Sequence, residues 1–138
     1  MSSFQDWFKK EYQSWSKSQP GAEDFLAFCS LLGYPPAVVL SWLKGDSAPQ
    51  GPEILSVAGV LGMKAYDMLG QPEPDPELLT IYKSFSHLTG DYRSKLSYAL
   101  WEVSIEMQQK QITAKSEEAK MILAKGFQKW GINESDDN

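Results

Sequence analysis

The segment from Gly33 to Gly45 constrains the fold of this chain more than any other stretch. Gly33 can adopt the left-handed conformation that ends a helix, and Pro36 suits a first helical position, where a missing amide hydrogen costs nothing. Gly45 then ends the second helix. Upstream, apolar residues recur at helical spacing (i, i+3, i+4, i+7): Phe25, Phe28, Cys29 and Leu32. We therefore predict two short helices joined by a tight turn, a helix-turn-helix arrangement.

Helical periodicity covers the rest of the first 70 residues as well. An aromatic stripe predicts a first helix over residues 3–16, with Phe4, Trp7, Phe8, Tyr12 and Trp15 on one face. A fourth helix should begin at Pro52 and end before Gly62, and a short fifth helix should cover residues 65–69. Residues 1–70 are thus predicted to form one five-helix unit.

Three prolines at alternate positions mark the clearest boundary in the chain, over residues 71–76. Such a segment cannot be helical and favours an extended spacer. Apolar stripes beyond it predict three more helices, at about residues 77–88, 92–110 and 113–130, followed by an acidic tail over residues 132–138. The predicted fold class is all-α, with residues 77–131 forming a C-terminal helical region. Because one amphipathic helix cannot bury its stripe alone, these helices should pack on each other, on the N-terminal unit or across a dimer axis.

The spacing of the N-terminal unit resembles that of the Xre family, the lambda repressor/Cro-like helix-turn-helix proteins. The resemblance covers about residues 4–70, and these positions carry it: Phe4, Trp7, Phe8, Gly33, Val39, Trp42, Gly45, Pro49, Ile54, Val57, Ala58, Leu61, Gly62, Met63 and Leu69. It implies a bundle of about five helices whose third helix enters the DNA major groove. It also implies a transcriptional regulator that binds double-stranded DNA, with the C-terminal helices as a homodimerisation module.

In the Xre family, the second residue of helix two and the exposed positions of helix three approach phosphates and base edges. The resemblance therefore places the contact surface at the equivalent positions of this chain. By the Gly33 and Gly45 anchors, this DNA- or partner-binding face consists of Phe25, Pro36, Ala37, Val38, Leu40, Ser41 and Lys44. Base readout needs donors and acceptors, and this face offers one hydroxyl and one lysine. Its apolar residues are typical of a surface that packs against protein.

The charge of the chain also favours a protein contact over a DNA contact, since the net charge is −5 and neither half of the chain is basic. DNA binders usually present a basic face, because phosphate neutralisation supplies much of their affinity. Two explanations of the apolar face therefore stand beside DNA binding. The C-terminal helices cover it, or the scaffold serves as an adaptor that binds a protein partner or a second copy through it.

Residue chemistry argues against catalysis. The chain has a single histidine, His87, and a single cysteine, Cys29, so they form neither a metal site of the usual kind nor a disulfide. It contains no Gly-rich phosphate loop and no nucleophile motif. We expect a protein without enzymatic activity, catalytic residues, metal or cofactor. The lone cysteine fits a reducing cytoplasm, and the longest uncharged stretch contains Gly33, Pro35 and Pro36, so no membrane partner is expected.

Overall fold

The computed structural model describes residues 4–18, 25–85 and 91–132 of the chain. Within these ranges the fold is all-α, as predicted. The helices are α1 (Phe4–Ser18), α2 (Phe25–Leu32), α3 (Pro36–Lys44), α4 (Pro52–Leu61), α5 (Lys64–Met68), α6 (Pro76–Ser84), α7 (Asp91–Lys110) and α8 (Glu117–Trp130).

Glycine and proline set several helix boundaries where the sequence predicts them. Gly45 has φ 80° at the C-terminus of α3, and Pro36 and Pro52 occupy the first turns of α3 and α4. The amide of Gly62 closes α4 by donating to the carbonyl of Ala58.

Two of the C-terminal helices are shorter than predicted. Helix α6 ends at Ser84, because Phe85 leaves the helical conformation and packs its ring against Phe127 at a centroid distance of 5.6 Å. Helix α8 begins at Glu117 instead of residue 113, because the Ser116 side chain caps it by accepting a hydrogen bond from the Ala119 amide at 3.1 Å. Residues 86–88 of the predicted sixth helix, and residues 133–138 of the predicted tail, lie outside the described residues.

The buried side chains form two clusters. The N-terminal core is built by α1 to α5 with Leu79 of α6, and its members are Phe4, Trp7, Phe8, Phe28, Cys29, Leu32, Val39, Trp42, Ile54, Val57, Ala58, Ala65, Tyr66 and Leu79. The C-terminal core is built by α6 to α8 with Leu55 of α4. Its members are Leu55, Leu78, Tyr82, Phe85, Leu96, Ala99, Leu100, Val103, Met107, Ala114, Ala119, Ile122 and Ile132.

Helix α4 lies between the two cores and is buried continuously from Ile54 to Gly59. It turns Ile54 and Val57 toward the N-terminal core and Leu55 toward the C-terminal core. Its buried Ser56 accepts a hydrogen bond from the Tyr82 hydroxyl at 3.3 Å. The C-terminal helices therefore pack on each other and on the N-terminal unit. These are two of the three arrangements predicted from the apolar stripes of those helices.

Candidate recognition surface

Helices α2 and α3 meet at a bend of 102°, with Gly33, Tyr34 and Pro35 between them. Gly33 has φ 87°, and its amide donates to the Cys29 carbonyl at 2.8 Å. An L side chain is strained at that φ, so glycine suits this turn. The bend leaves α3 lying across the N-terminal unit with one side inward and the other outward.

The inward side of α3 is fixed by aromatic packing. Trp42 is 1% exposed and meets Phe8 edge-on at a centroid distance of 6.0 Å, while Tyr34 lies 5.8 Å from the same indole. The Gln5 side-chain amide donates to the Leu43 carbonyl at 3.1 Å, which ties α1 to the C-terminal turn of α3. The orientation of α3 is therefore set by α1 as well as by the turn.

The α2–α3 turn is also fastened to α7. The Tyr34 hydroxyl hydrogen-bonds the Ser97 hydroxyl at 3.0 Å, and burial raises the pKa of Tyr34 to about 12. A side chain at Gly33 would collide with the Arg93 side chain and come within 2.8 Å of the Ser94 amide nitrogen. The backbone of α7 thus rests directly against this turn.

Four of the predicted contact residues lie exposed along the outward side of α3: Pro36, Ala37, Leu40 and Lys44. Leu40 is 42% exposed, so the described part of the C-terminal region does not cover this side. We call these four residues the α3 outer face. Among its members Lys44 is the only charged side chain.

The other three predicted contact residues are partly turned inward. Phe25 packs edge-on against Tyr12 at a centroid distance of 5.9 Å, and Val38 packs against the N-terminal core. Ser41 donates to the Val38 carbonyl at 2.7 Å and shares a hydrogen bond with the Ser47 hydroxyl. Because of these contacts, the three side chains present less apolar surface and less hydrogen-bonding capacity to a partner.

Leu26 is an apolar surface residue that the sequence prediction of this face left out. It is 58% exposed and lines a hollow of about 320 Å³ together with Pro36 and Asp91. Its position gave a signal, because Leu26 lies off the buried stripe formed by Phe28, Cys29 and Leu32. The apolar surface therefore continues from the outer face of α3 onto α2.

The N-terminus of α3 bears a backbone feature of its own. Pro35 precedes the helix in an extended conformation and provides no side-chain cap to the helix end. A helix N-terminus with open amides favours anions through the amide dipoles. Ala37 supplies the first amide hydrogen of α3, since Pro36 has none.

Comparison with protein-family models, with curated proteins and with solved structures found no match for this chain.

No group of three His, Cys, Asp or Glu side chains within residues 4–18, 25–85 and 91–132 could hold a metal ion. His87 lies outside those ranges, and Cys29 is a buried thiol that is not part of a disulfide. No single described helix has both the length and the apolar composition to cross a membrane, whereas the bent pair α2 and α3 together satisfies that test by length and composition.

Proposed function

We propose that this chain is a non-enzymatic helix-turn-helix regulator of the Xre type that contacts double-stranded DNA through the α3 outer face. The bend of 102° between α2 and α3 supports this proposal best, because it falls within the range of about 90–120° between the helices of such motifs. A helix held at this angle by its inward side can enter a major groove with its outward side.

The chemistry of the α3 outer face defines what kind of DNA contact it makes. Lys44 and the Ala37 amide suit phosphates, and Leu40 suits the methyl group of thymine. One lysine releases few counterions, so we expect the logarithm of affinity to fall with the logarithm of salt by a slope of about 1 from this surface. Ordinary operator binders have slopes several times steeper.

Fluorescence anisotropy with a labelled random-sequence duplex tests the proposal. We expect a Kd tighter than about 10 μM at low salt, where nonspecific phosphate attraction is strongest. Lys44→Glu should weaken this binding at least about tenfold, because it replaces the attraction with repulsion. Lys115→Glu is the matched control, since Lys115 is a highly exposed lysine in the α7–α8 loop. Binding weaker than about 10 μM by the parent chain, or equal loss in both variants, contradicts DNA contact through α3.

Exposed leucines favour a second candidate, a protein-binding adaptor on the same scaffold. Leu40 and Leu26 are 42% and 58% exposed, and exposed apolar surface of this kind is typical of protein interfaces. Leu40→Asn removes apolar area without changing charge. Affinity capture followed by mass spectrometry should then find a partner that the parent and Lys44→Glu retain and Leu40→Asn loses. A partner retained by Leu40→Asn does not use this face.

A further inference from the structure

Arg93, in the first turn of α7, is the only arginine in the chain and is only 4% exposed. The other 12 of the 13 Lys and Arg residues are lysines, and all of them are exposed. Arginine is almost never fully buried unless it is paired. The chain thus places its one arginine where the charge needs a partner, and keeps its other cations in solvent.

No described residue supplies that partner. The Nε and Nη1 atoms of Arg93 are buried and have no hydrogen-bond partner within the described structure, where each of the ion pairs uses a lysine. Asp91 lies two residues before Arg93 on the same helix, and residues at this spacing do not face each other. Because arginine stays charged in proteins, a buried guanidinium without a counter-charge is strongly destabilising.

The groups around the guanidinium are polar but neutral. The Cζ atom of Arg93 lies 4.8 Å from the centroid of the Tyr82 ring, and the Tyr82 hydroxyl donates to the Ser56 hydroxyl at 3.3 Å. One turn farther along α7, the Ser97 hydroxyl pairs with the Tyr34 hydroxyl at 3.0 Å. These hydroxyls are engaged with one another and leave the charge of Arg93 unbalanced.

We propose that the Arg93 guanidinium binds a small monovalent anion of the size of chloride, with Nε–H and Nη1–H as donors. Hydrogen bonds from a charged donor to an anion are stronger than neutral ones. Tyr82, Ser56 and Ser97 are each 0% exposed, so a site among them favours a single atom over a polyatomic oxyanion. This site is separate from the α3 outer face and does not depend on the proposed DNA contact.

The position of Arg93 links anion binding to the stability of the whole fold. Ser56 belongs to α4, Tyr82 to α6 and Ser97 to α7, and Gly33 of the α2–α3 turn lies against the base of the Arg93 side chain. The packing of four parts of the chain forms this environment, so the unfolded chain lacks it. A ligand that binds only the folded state stabilises that state in proportion to its occupancy.

Nuclear magnetic resonance on the full, ¹⁵N-labelled chain tests the proposal. Sodium chloride replaces sodium gluconate at a fixed ionic strength of about 200 mM, so that charge screening stays constant. Gluconate is too large for the buried site. The single arginine gives a single Nε–H cross-peak of its type, and chloride should shift that peak in a saturable manner.

Thermal denaturation in the same salts gives a second measurement. At a chloride concentration of ten times Kd, the Tm of the parent should rise by about 4 °C more than that of Arg93→Met. Lys95→Met is the matched control, since it removes an exposed charge from the same helix, and it should respond to chloride like the parent. Circular dichroism should show parental helicity in both variants.

An Arg93 Nε–H peak that chloride does not shift overturns the proposal. So does a folded Arg93→Met protein whose Tm responds to chloride like that of the parent. If Arg93→Met does not fold, the titration of the parent decides alone, because it observes the donor directly.

Discussion

Gly59 and Tyr82 lie in contact where α4 crosses α6. A Cβ built at Gly59 would overlap the Tyr82 ring, and Tyr82 is itself fully buried. Burial raises the pKa of Tyr82, although the Arg93 guanidinium 4.8 Å above its ring acts in the opposite direction. The absence of one methyl group at residue 59 thus decides how closely the two cores approach each other.

Gly59→Ala should therefore destabilise the fold. Overpacking costs about 1–3 kcal/mol, and the better helix propensity of alanine returns up to about 1 kcal/mol, so we expect a net loss of about 1–2 kcal/mol in the free energy of unfolding. Urea denaturation at low micromolar protein measures it. Gly126→Ala is the matched helical control, with an expected change within about 1 kcal/mol. A Gly59→Ala protein as stable as the parent would show that α6 can shift freely.

Arg93 is a residue whose environment no sequence pattern predicted. It is 4% exposed, and its Nε and Nη1 atoms have no hydrogen-bond partner within the described structure. Arginine is almost never fully buried unless paired, so residue type favours a solvated position. The approach of Gly33 to the base of the side chain and the Tyr82 ring beneath the guanidinium both contribute to this burial, and both are contacts that local spacing does not encode.

At the scale of elements, the sequence predicts helix ends well where glycine or proline marks them. Gly45 and Pro52 do so, and the apolar stripes correctly predict that α6, α7 and α8 exist. The sequence signal for a helix end is weaker where a side-chain cap sets that end. Ser116 caps α8, and Asp75 both caps α6 and accepts a hydrogen bond from the Ala114 amide at 2.9 Å. The second Asp75 bond joins the proline-rich segment to the α7–α8 loop, and it depends on tertiary proximity that local spacing does not encode.

Helix α7 ends without a glycine. Gln111 has φ 56°, and the amide of the next residue, Ile112, donates to the Met107 carbonyl at 3.1 Å. This is the hydrogen bond of a helix end closed by a left-handed residue, a position where glycine is usual. Helix α7 therefore has the usual C-terminal hydrogen bond but is strained at Gln111, since non-glycine residues disfavour the left-handed conformation.

Gln111→Gly should raise the free energy of unfolding by about 0.5–1 kcal/mol, because it removes the steric cost of the left-handed conformation. Gln109→Gly, two residues earlier and inside α7, should lower it by about 1 kcal/mol because glycine is a poor helix former. Thermal and urea denaturation of the two variants provide the comparison. Two changes of the same sign would mean that residue 111 does not need the left-handed conformation.

At the scale of the whole molecule, α4 connects two cores that the sequence suggests as separate units. The division into residues 1–70, a spacer over 71–76 and a helical region over 77–131 follows from composition alone. Leu55, 1% exposed, belongs to the C-terminal core, and Leu79, 6% exposed, belongs to the N-terminal core. The stripe of Ile54, Val57, Ala58 and Leu61 predicts one buried side of α4, and Leu55, an apolar residue off that stripe, is the sequence signal for a second buried side.

A fragment of residues 1–70 should therefore be far less stable than the full chain. Removal of α6 and α7 exposes Leu55, and full exposure of one such side chain alone costs about 1.5–3 kcal/mol. We expect partial or complete loss of helicity by circular dichroism. In the full chain, hydrogen exchange should show α4 and α7 amides opening together. A fragment with the parental urea midpoint would establish the first 70 residues as an independent domain.

The close contact between Gly33 and α7 also limits how this chain can change over evolutionary time. Two segments some sixty positions apart share that spot, so a substitution there would have to be answered by a backbone shift in α7. Substitutions at the outward residues of α3 do not require a compensating backbone shift. Their chemistry can drift from one ligand to another while the angle at which they are presented is inherited unchanged.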